Sequence, residues 1–342
     1  HFKIDSGMRI VNNAKLTLVN SILEFSDHGI AAWGQEQGIF IQKGSELFAI
    51  HDTLSNIRGC PQMWDGIGVE GGKLLQSPKG LVQLLAGTLL ENAHTGAKNL
   101  DIKARAPGII RVSNSMMLNN HRHIVISAPY ASLQQTLWYS FNNVEFLCTK
   151  SLVDVNTYQG AGTLYFMQMN QVPIIVPIKG CTIKNGPFAP FFYNVGIWAN
   201  NASYTVEPQG TDSSRFQRLH RDVIDKGTNP FRSVTIRNSV FIQTFQTILP
   251  RNASNATVTG NRFDLFSTAP DYGLYLDGCT GYQVEENHFT RKTHLPYGII
   301  SNNSGAGGDQ IYRNRFTDMN VGIQAQGLAS LNSNKGLEIK CN

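Results

Sequence analysis

One phrase recurs through the second half of this chain: an asparagine, any residue and a phenylalanine, followed by a glycine beside an aliphatic residue. It reads Asn261-Arg262-Phe263 with Gly273-Leu274, Asn287-His288-Phe289 with Gly298-Ile299, and Asn314-Arg315-Phe316 with Gly322-Ile323. The asparagines stand 26 and 27 residues apart. A period of this size means stacked, quasi-one-dimensional laps, because each unit is too short to bury its own apolar face and must use its neighbours.

Degenerate copies extend the repeat. Val234 to Asn238 precedes Phe241, and Cys181 to Asn185 precedes Phe188, with Gly196-Ile197 following. Arg215-Phe216 with Val223-Ile224 reads as a rung that has lost its asparagine. Leu16 to Asn20 precedes Gly29-Ile30, Ile109 to Asn114 precedes Ile124 to Ile126, and Leu137 to Asn142 follows about one rung later. Within each unit, segments such as Thr257-Val258-Thr259 and Tyr282-Gln283-Val284 alternate with period two and read as short strands. No long segment shows helical periodicity, and Leu81 to Leu90, interrupted by Gly87, reads as strand and turn. A propeller blade needs about 40–50 residues, and a sandwich does not repeat one phrase per lap. The expected fold is therefore all-β: a right-handed parallel β-helix of about thirteen coils, at about 25 residues per coil.

The phrase has a physical reading. Inward positions of stacked coils fall like on like, so the phenylalanines are expected to form an internal aromatic column. The asparagines are expected at coil corners, where they tolerate left-handed backbone and their amides bond from coil to coil. The glycines are expected to supply a positive φ before the next strand. All three roles are structural.

Residues 1–342 read as a single β-helix domain, with 201–228 as a candidate loop insertion. The chain opens and closes in mid-phrase, with Asn342 falling 28 residues after Asn314, so a fragment of a larger secreted protein is expected. Charged residues make up 15% and the net charge is +5. Lysines and arginines are scattered, which argues against nucleic acid as a partner. The one cluster, Arg215, Arg218, His220 and Arg221, is diluted in sequence by Asp212, Asp222 and Asp225. Five widely spaced cysteines, Cys60, Cys148, Cys181, Cys279 and Cys341, form neither a disulfide framework nor a C-x-x-C motif, and most read as small buried hydrophobes. No apolar run is long enough for membrane insertion and no signal peptide is present in these residues.

Catalytic chemistry finds little support. Polysaccharide hydrolysis needs two carboxylates across the scissile bond. The best acid–base candidates are Asp277, Glu285, Glu286 and His288, with Arg291, Lys292 and His294 on the next turn. Glu285 and Glu286, as strand neighbours, point to opposite faces and make no pair. Gly305 to Asp309 resembles one glycine-rich calcium turn, but that device works as a tandem array. His121 and His123 offer two metal ligands without a third. No catalytic, cofactor-binding or metal residue is assigned, and no cofactor. Trp33, Trp64, Trp138 and Trp198, with Tyr130, Tyr193, Tyr272 and Tyr297, are candidates for stacking on sugar rings, in competition with core packing.

Several stretches resemble secreted right-handed β-helix proteins of Bacteroidetes: Ala14 to Ser21, Trp64 to Val69, Ile110 to Ser115 running into Leu118 to Arg122, and Gly336 to Asn342. The chain also resembles the pectate-lyase-like superfamily in general shape, although none of that superfamily's catalytic phrases can be placed on it. The resemblance implies secretion or display at the cell surface, export by the type IX pathway through a sorting domain that these residues lack, and roles in adhesion, surface appendages or glycan contact. The expectation is a non-catalytic extracellular scaffold, an adhesin or appendage building block, with a glycan or cell-surface ligand or homo-oligomeric filament neighbours as partners. The alternative is a carbohydrate-binding module or a polysaccharide lyase or hydrolase.

Overall fold

The computed structural model describes residues 1–26, 38–57, 63–72, 77–100, 107–128, 138–150, 164–187, 194–227, 232–266, 272–293, 296–304, 308–327 and 336–342. Among these residues there are thirty-six strands, from Phe2–Ile4 to Glu338–Lys340, and no α-helix. Three strands make one lap, and the strand pairs are parallel. The fold is a parallel β-helix. Its strands make twelve laps, where the repeat predicts about thirteen. Turn lengths vary, so laps exceed the 25-residue unit: paired residues are 31 apart at Ile22–Thr53 and 36 apart at Thr53–Leu89.

By internal packing the chain divides into two compact units, His1–Ile174 with Asn185–Pro190, and Ile175–Lys184 with Phe191–Asn342. Each is a stack of the same three sheets, named here first, second and third in chain order. In the first unit the core includes Phe25 stacked on Trp64 at 4.6 Å, and His123 stacked on Phe166 at 4.8 Å with Phe146 at its edge.

The second unit contains the clear repeats. Its first sheet includes Arg215–Gln217, Val240–Thr244, Arg262–Phe266, His288–Thr293 and Arg315–Thr317. Its second holds Asn194–Asn200, Arg221–Lys226, Gln246–Arg251, Tyr272–Asp277, Tyr297–Asn302 and Val321–Gln326. Its third runs from Ile175–Lys179 to Glu338–Lys340. The stretch 201–228, expected as a loop insertion, is regular: it contains Ser203–Glu207, Arg215–Gln217 and Arg221–Lys226, broken by a short turn at Gln209–Asp212. Its weak resemblance to the phrase reflects a serine, Ser214, at the asparagine position.

The aromatic column is present. Phe216, Phe241, Phe263, Phe289 and Phe316 stack in order, with ring centroids 4.9, 4.9, 4.4 and 5.2 Å apart. Offset aromatic pairs add about 0.5–1.5 kcal/mol each beyond their buried area. The amide column is also present, one position away from the expected geometry. Asn261, Asn287 and Asn314 are 1–3% exposed. Asn287 Oδ1 accepts from the backbone N–H and the side-chain amide of Asn261, both at 2.9 Å, and Asn314 Oδ1 does the same for Asn287 at 3.1 and 2.9 Å. The left-handed residue is the one before each: Gly260, Glu286 and Arg313. Asn238, expected as a ladder member, is itself left-handed, and Ser239 takes the inward position.

The repeated glycines also differ from expectation. Gly273 and Gly298 lie within second-sheet strands and do not have positive φ. A Cβ at Gly273 would stand 2.6 Å from the Phe289 ring, and one at Gly298 2.5 Å from the Phe316 ring. Glycine recurs there because the phenylalanine of the next coil fills the space.

The interior of the second unit carries charge. Asp222 and Asp225 are both wholly buried. Asp225 is ion-paired with the buried Arg232, which also donates to the Arg251 carbonyl at 2.6 Å. Burial pushes Asp225 up to about 7, against the pull of Arg232. Burial holds the Asp222 carboxyl well above the usual range, outweighing the nearby Thr244 hydroxyl, which draws it down.

Candidate functional site

The acid–base candidates do not converge. Asp277 ends a second-sheet strand, Glu285 ends a third-sheet strand, and His288 begins a first-sheet strand, so the three lie on different faces of the coil. Glu286 is not the opposite-facing strand neighbour of Glu285; it is a left-handed corner residue (φ 55°) near Arg313, at 3.9 Å. The His288 ring contacts the Thr317 and Thr290 hydroxyls at 3.1 and 3.3 Å. Arg291 and Lys292 continue the His288 strand, while His294 lies outside the described residues. A shallow concavity of about 290 Å³ on the third sheet is lined by Glu285, Gln310, Ile311, Tyr312, Glu338 and Lys340, and its lysine is already ion-paired with Glu338.

His121 and His123 do not form a metal pair. His123 is buried among aromatic rings, where burial pushes its pKa down to about 3, and His121 sits beside the His94 ring at 5.4 Å. Of the glycine-rich turn, Gly305 to Gly307 lie outside the described residues. Asp309 is buried and accepts the Tyr282 backbone N–H at 3.1 Å, which is the work of a corner residue. Trp33, Tyr130 and Tyr193 also lie outside the described residues. Trp64 is core and donates to the Glu91 carbonyl at 2.8 Å, and Trp138 is 6% exposed.

Four sequence candidates lie on the second-sheet strands of one face: Trp198, Tyr272, Tyr297 and Asp277. Strand alternation sets this outer face of the second sheet. Leu274 and Leu276 are fully buried, so Tyr275 and Asp277 alternate outward; Tyr272 departs from the alternation and packs against the Tyr275 ring. Register then stacks the residues of this face into three rows. One runs Arg221, Gln246, Tyr272, Tyr297 and Val321. The next contains Trp198, Ile224 and Leu249, then Tyr275, Ile300 and Gln324. The third is wholly polar: Asn200, Lys226, Arg251, Asp277, Asn302 and Gln326.

The rows are locked together. Leu249, Tyr272 and Ile300 are 7–8% exposed and pack with the more open Tyr275 and Tyr297. The Tyr272 and Tyr275 rings are 5.1 Å apart. Asp277 accepts from Asn302 Nδ2 at 3.0 Å and lies 3.4 Å from Arg251 Nε. Gln326 Nε2 donates to the Tyr275 hydroxyl at 3.2 Å. The result is a rigid strip in which amide, guanidinium and carboxylate groups run beside tyrosine edges. Sequence reasoning found Trp198, Tyr272 and Tyr297 by type but not Tyr275, and Arg251, Asn302 and Gln326 carry no local signal and are joined only by register.

The fit to the sequence cluster Arg215, Arg218, His220 and Arg221 also changes. Two of the aspartates expected to dilute it, Asp222 and Asp225, are interior. Arg221 faces out on the candidate strip, its Nε donating to Gln246 Oε1 at 2.8 Å.

Residues 176–339 match a family model described as periplasmic copper-binding protein (NosD). Among solved structures, the chain is similar to PfbA, a surface adhesin of Streptococcus pneumoniae, at 12% identity over 93% of this chain and 85% of that one, with a TM-score of 0.33. It is similar to the A-module of the mannuronan C-5 epimerase AlgE4 of Azotobacter vinelandii at 11% identity over 86% of this chain and 91% of that one, with a TM-score of 0.30. No curated protein matches the sequence.

Copper favours clustered methionine, cysteine and histidine donors. Within 176–339 the only methionine is Met319. Cys181 and Cys279 are buried, and burial pushes the Cys279 thiol up to about 12. No three of histidine, cysteine, aspartate and glutamate group together among the described residues. Among the described residues, the donors of 176–339 do not fit copper.

Proposed function

We propose that this protein is a non-catalytic, extracytoplasmic β-helix scaffold that holds a glycan against the outer second-sheet face of its second unit. The observation that carries the reading is the polar row from Lys226 to Gln326 beside Tyr275 and Tyr297. Sugars present hydroxyls at their rims and C–H faces between them, and planar polar side chains next to tyrosine match both. The stacked sheet fixes the spacing of these groups before any ligand arrives, which lowers the ordering cost of binding. Asp277, Glu285 and His288, held on three different sheets, offer no acid–base pair, which supports binding without turnover. The match of 176–339 to a periplasmic family supports a location outside the cytoplasm, and the resemblance to secreted Bacteroidetes β-helices extends the proposal to display at the cell surface.

Purified protein on an array of acidic and neutral glycans tests this. Retention of a defined glycan set, weakened about tenfold by Tyr275→Ala, is expected. Retention of none would refute glycan binding, and release of reducing or unsaturated ends would refute the non-catalytic reading.

A further inference from the structure

Resting on that glycan reading, we infer that the ligand is an acidic linear glycan, carboxylated or sulfated, lying along the solenoid axis across the second-sheet strands of the second unit. Charge on this face is asymmetric. The strand Arg221–Lys226 contains two cations and two aspartates, and looks neutral in sequence. The fold turns both aspartates inside and commits Asp225 to the buried Arg232. What remains outside is Arg221 at one end and the exposed Lys226 at the other. The next strand adds Arg251, 45% exposed, in register with Lys226. Asp277 is the only outward carboxylate on the second-sheet strands of this unit among the described residues, and Arg251 and Asn302 already engage it. The surface therefore offers cations at Arg221, Lys226 and Arg251, then amides and tyrosine edges at Tyr275, Tyr297, Asn302 and Gln326.

Direction follows from the same register. The polar groups repeat from strand to strand, about 4.7–4.9 Å apart. Lys226 to Gln326 is four such steps, roughly 19 Å. A ligand running along one strand would meet one member of each row, while one crossing the strands meets the whole polar row. An extended acidic glycan fits, with its charges over Lys226 and Arg251 and its ring faces toward Tyr275 and Tyr297.

Calorimetry of the intact chain with uronate oligomers, dimer to octamer, their carboxyl-reduced counterparts, and sulfated oligomers tests this. Affinity for one acidic series is expected to rise with length until about 19 Å is spanned and then level off. The carboxyl-reduced series should bind about tenfold more weakly, and added salt should weaken only the acidic series. Lys226→Gln, at an exposed position, should lower affinity for acidic oligomers several-fold and for neutral ones by a smaller factor, with the melting temperature as the check on folding. Preference for the uronate or the sulfated series identifies the source of the charge. Equal affinity for charged and reduced oligomers would overturn the inference and leave glycan binding standing. Affinity independent of length would overturn the axial placement. No affinity for any oligomer would overturn the glycan reading itself.

Discussion

Replacing Asn287 with alanine tests the amide column that defines the repeat. The side chain makes four hydrogen bonds from a site 1% exposed. Its Oδ1 accepts the Asn261 backbone N–H and the Asn261 side-chain amide, both at 2.9 Å. Its Nδ2 donates to the Val258 carbonyl at 2.8 Å and to Asn314 Oδ1 at 2.9 Å. Asn314 Oδ1 keeps a partner in the Asn287 backbone N–H. The Asn261 backbone N–H loses its partner and stays buried, while the Val258 carbonyl loses one donor but remains in the parallel strand ladder. An orphaned buried group costs about 1–3 kcal/mol and each further lost bond about 1 kcal/mol, so a total loss of roughly 3–5 kcal/mol is expected. Solenoids open locally, so the assay is amide hydrogen exchange alongside urea denaturation. The Asn261 amide should lose most of its protection, with smaller losses two coils away. Asn287→Asp should also destabilise, because a carboxylate cannot donate to Val258 or Asn314. A loss below about 1 kcal/mol, with Asn261 still protected, would show that the column does not stabilise the stack.

Burial holds the folded pKa of the Asp222 carboxyl well above its ordinary 3.8. Stability is then full below that value and declines as pH rises toward the folded pKa, so Asp222→Asn should raise the melting temperature at pH 7 and leave it unchanged at pH 3. His123 works in the opposite sense: its folded pKa of about 3 lies below the ordinary 6.5, so its contribution is full above 6.5 and is lost as pH falls toward 3. His123→Phe should remove about 1 kcal/mol per pH unit of that acid sensitivity, read from denaturation midpoints between pH 6 and 4. Arg232→Met leaves Asp225 buried and unpaired, and should cost roughly 3–5 kcal/mol in urea denaturation, most of it restored by adding Asp225→Leu. Gly298→Ala brings a Cβ to 2.5 Å from the Phe316 ring and from the Gly322 carbonyl oxygen. It should cost about 1–3 kcal/mol, and Phe316→Leu should recover part of it.

The sequence by itself determined the architecture. A phrase every 26 or 27 residues, with strand alternation between copies, leaves only a stack of coils, and stacking forces like residues into columns. Phe241, Phe263 and Phe289 could be assigned to one column before any coordinates because equivalent inward positions repeat with the period. The tertiary structure decided what depends on register between coils. A shift of one residue separates the left-handed Asn238 from the buried ladder residue Asn261, and both look alike in sequence. Gly273 looks like a turn residue until the ring of Phe289 is seen against it. Asp222 and Asp225 read as surface charges beside Arg221, because nothing local says which side of a strand faces the interior. The face joining Arg251, Asp277, Asn302 and Gln326 is assembled from strands about 25 residues apart. Periodicity fixes that coils stack, while hydrogen-bond pairing between neighbouring coils fixes which side chains become neighbours.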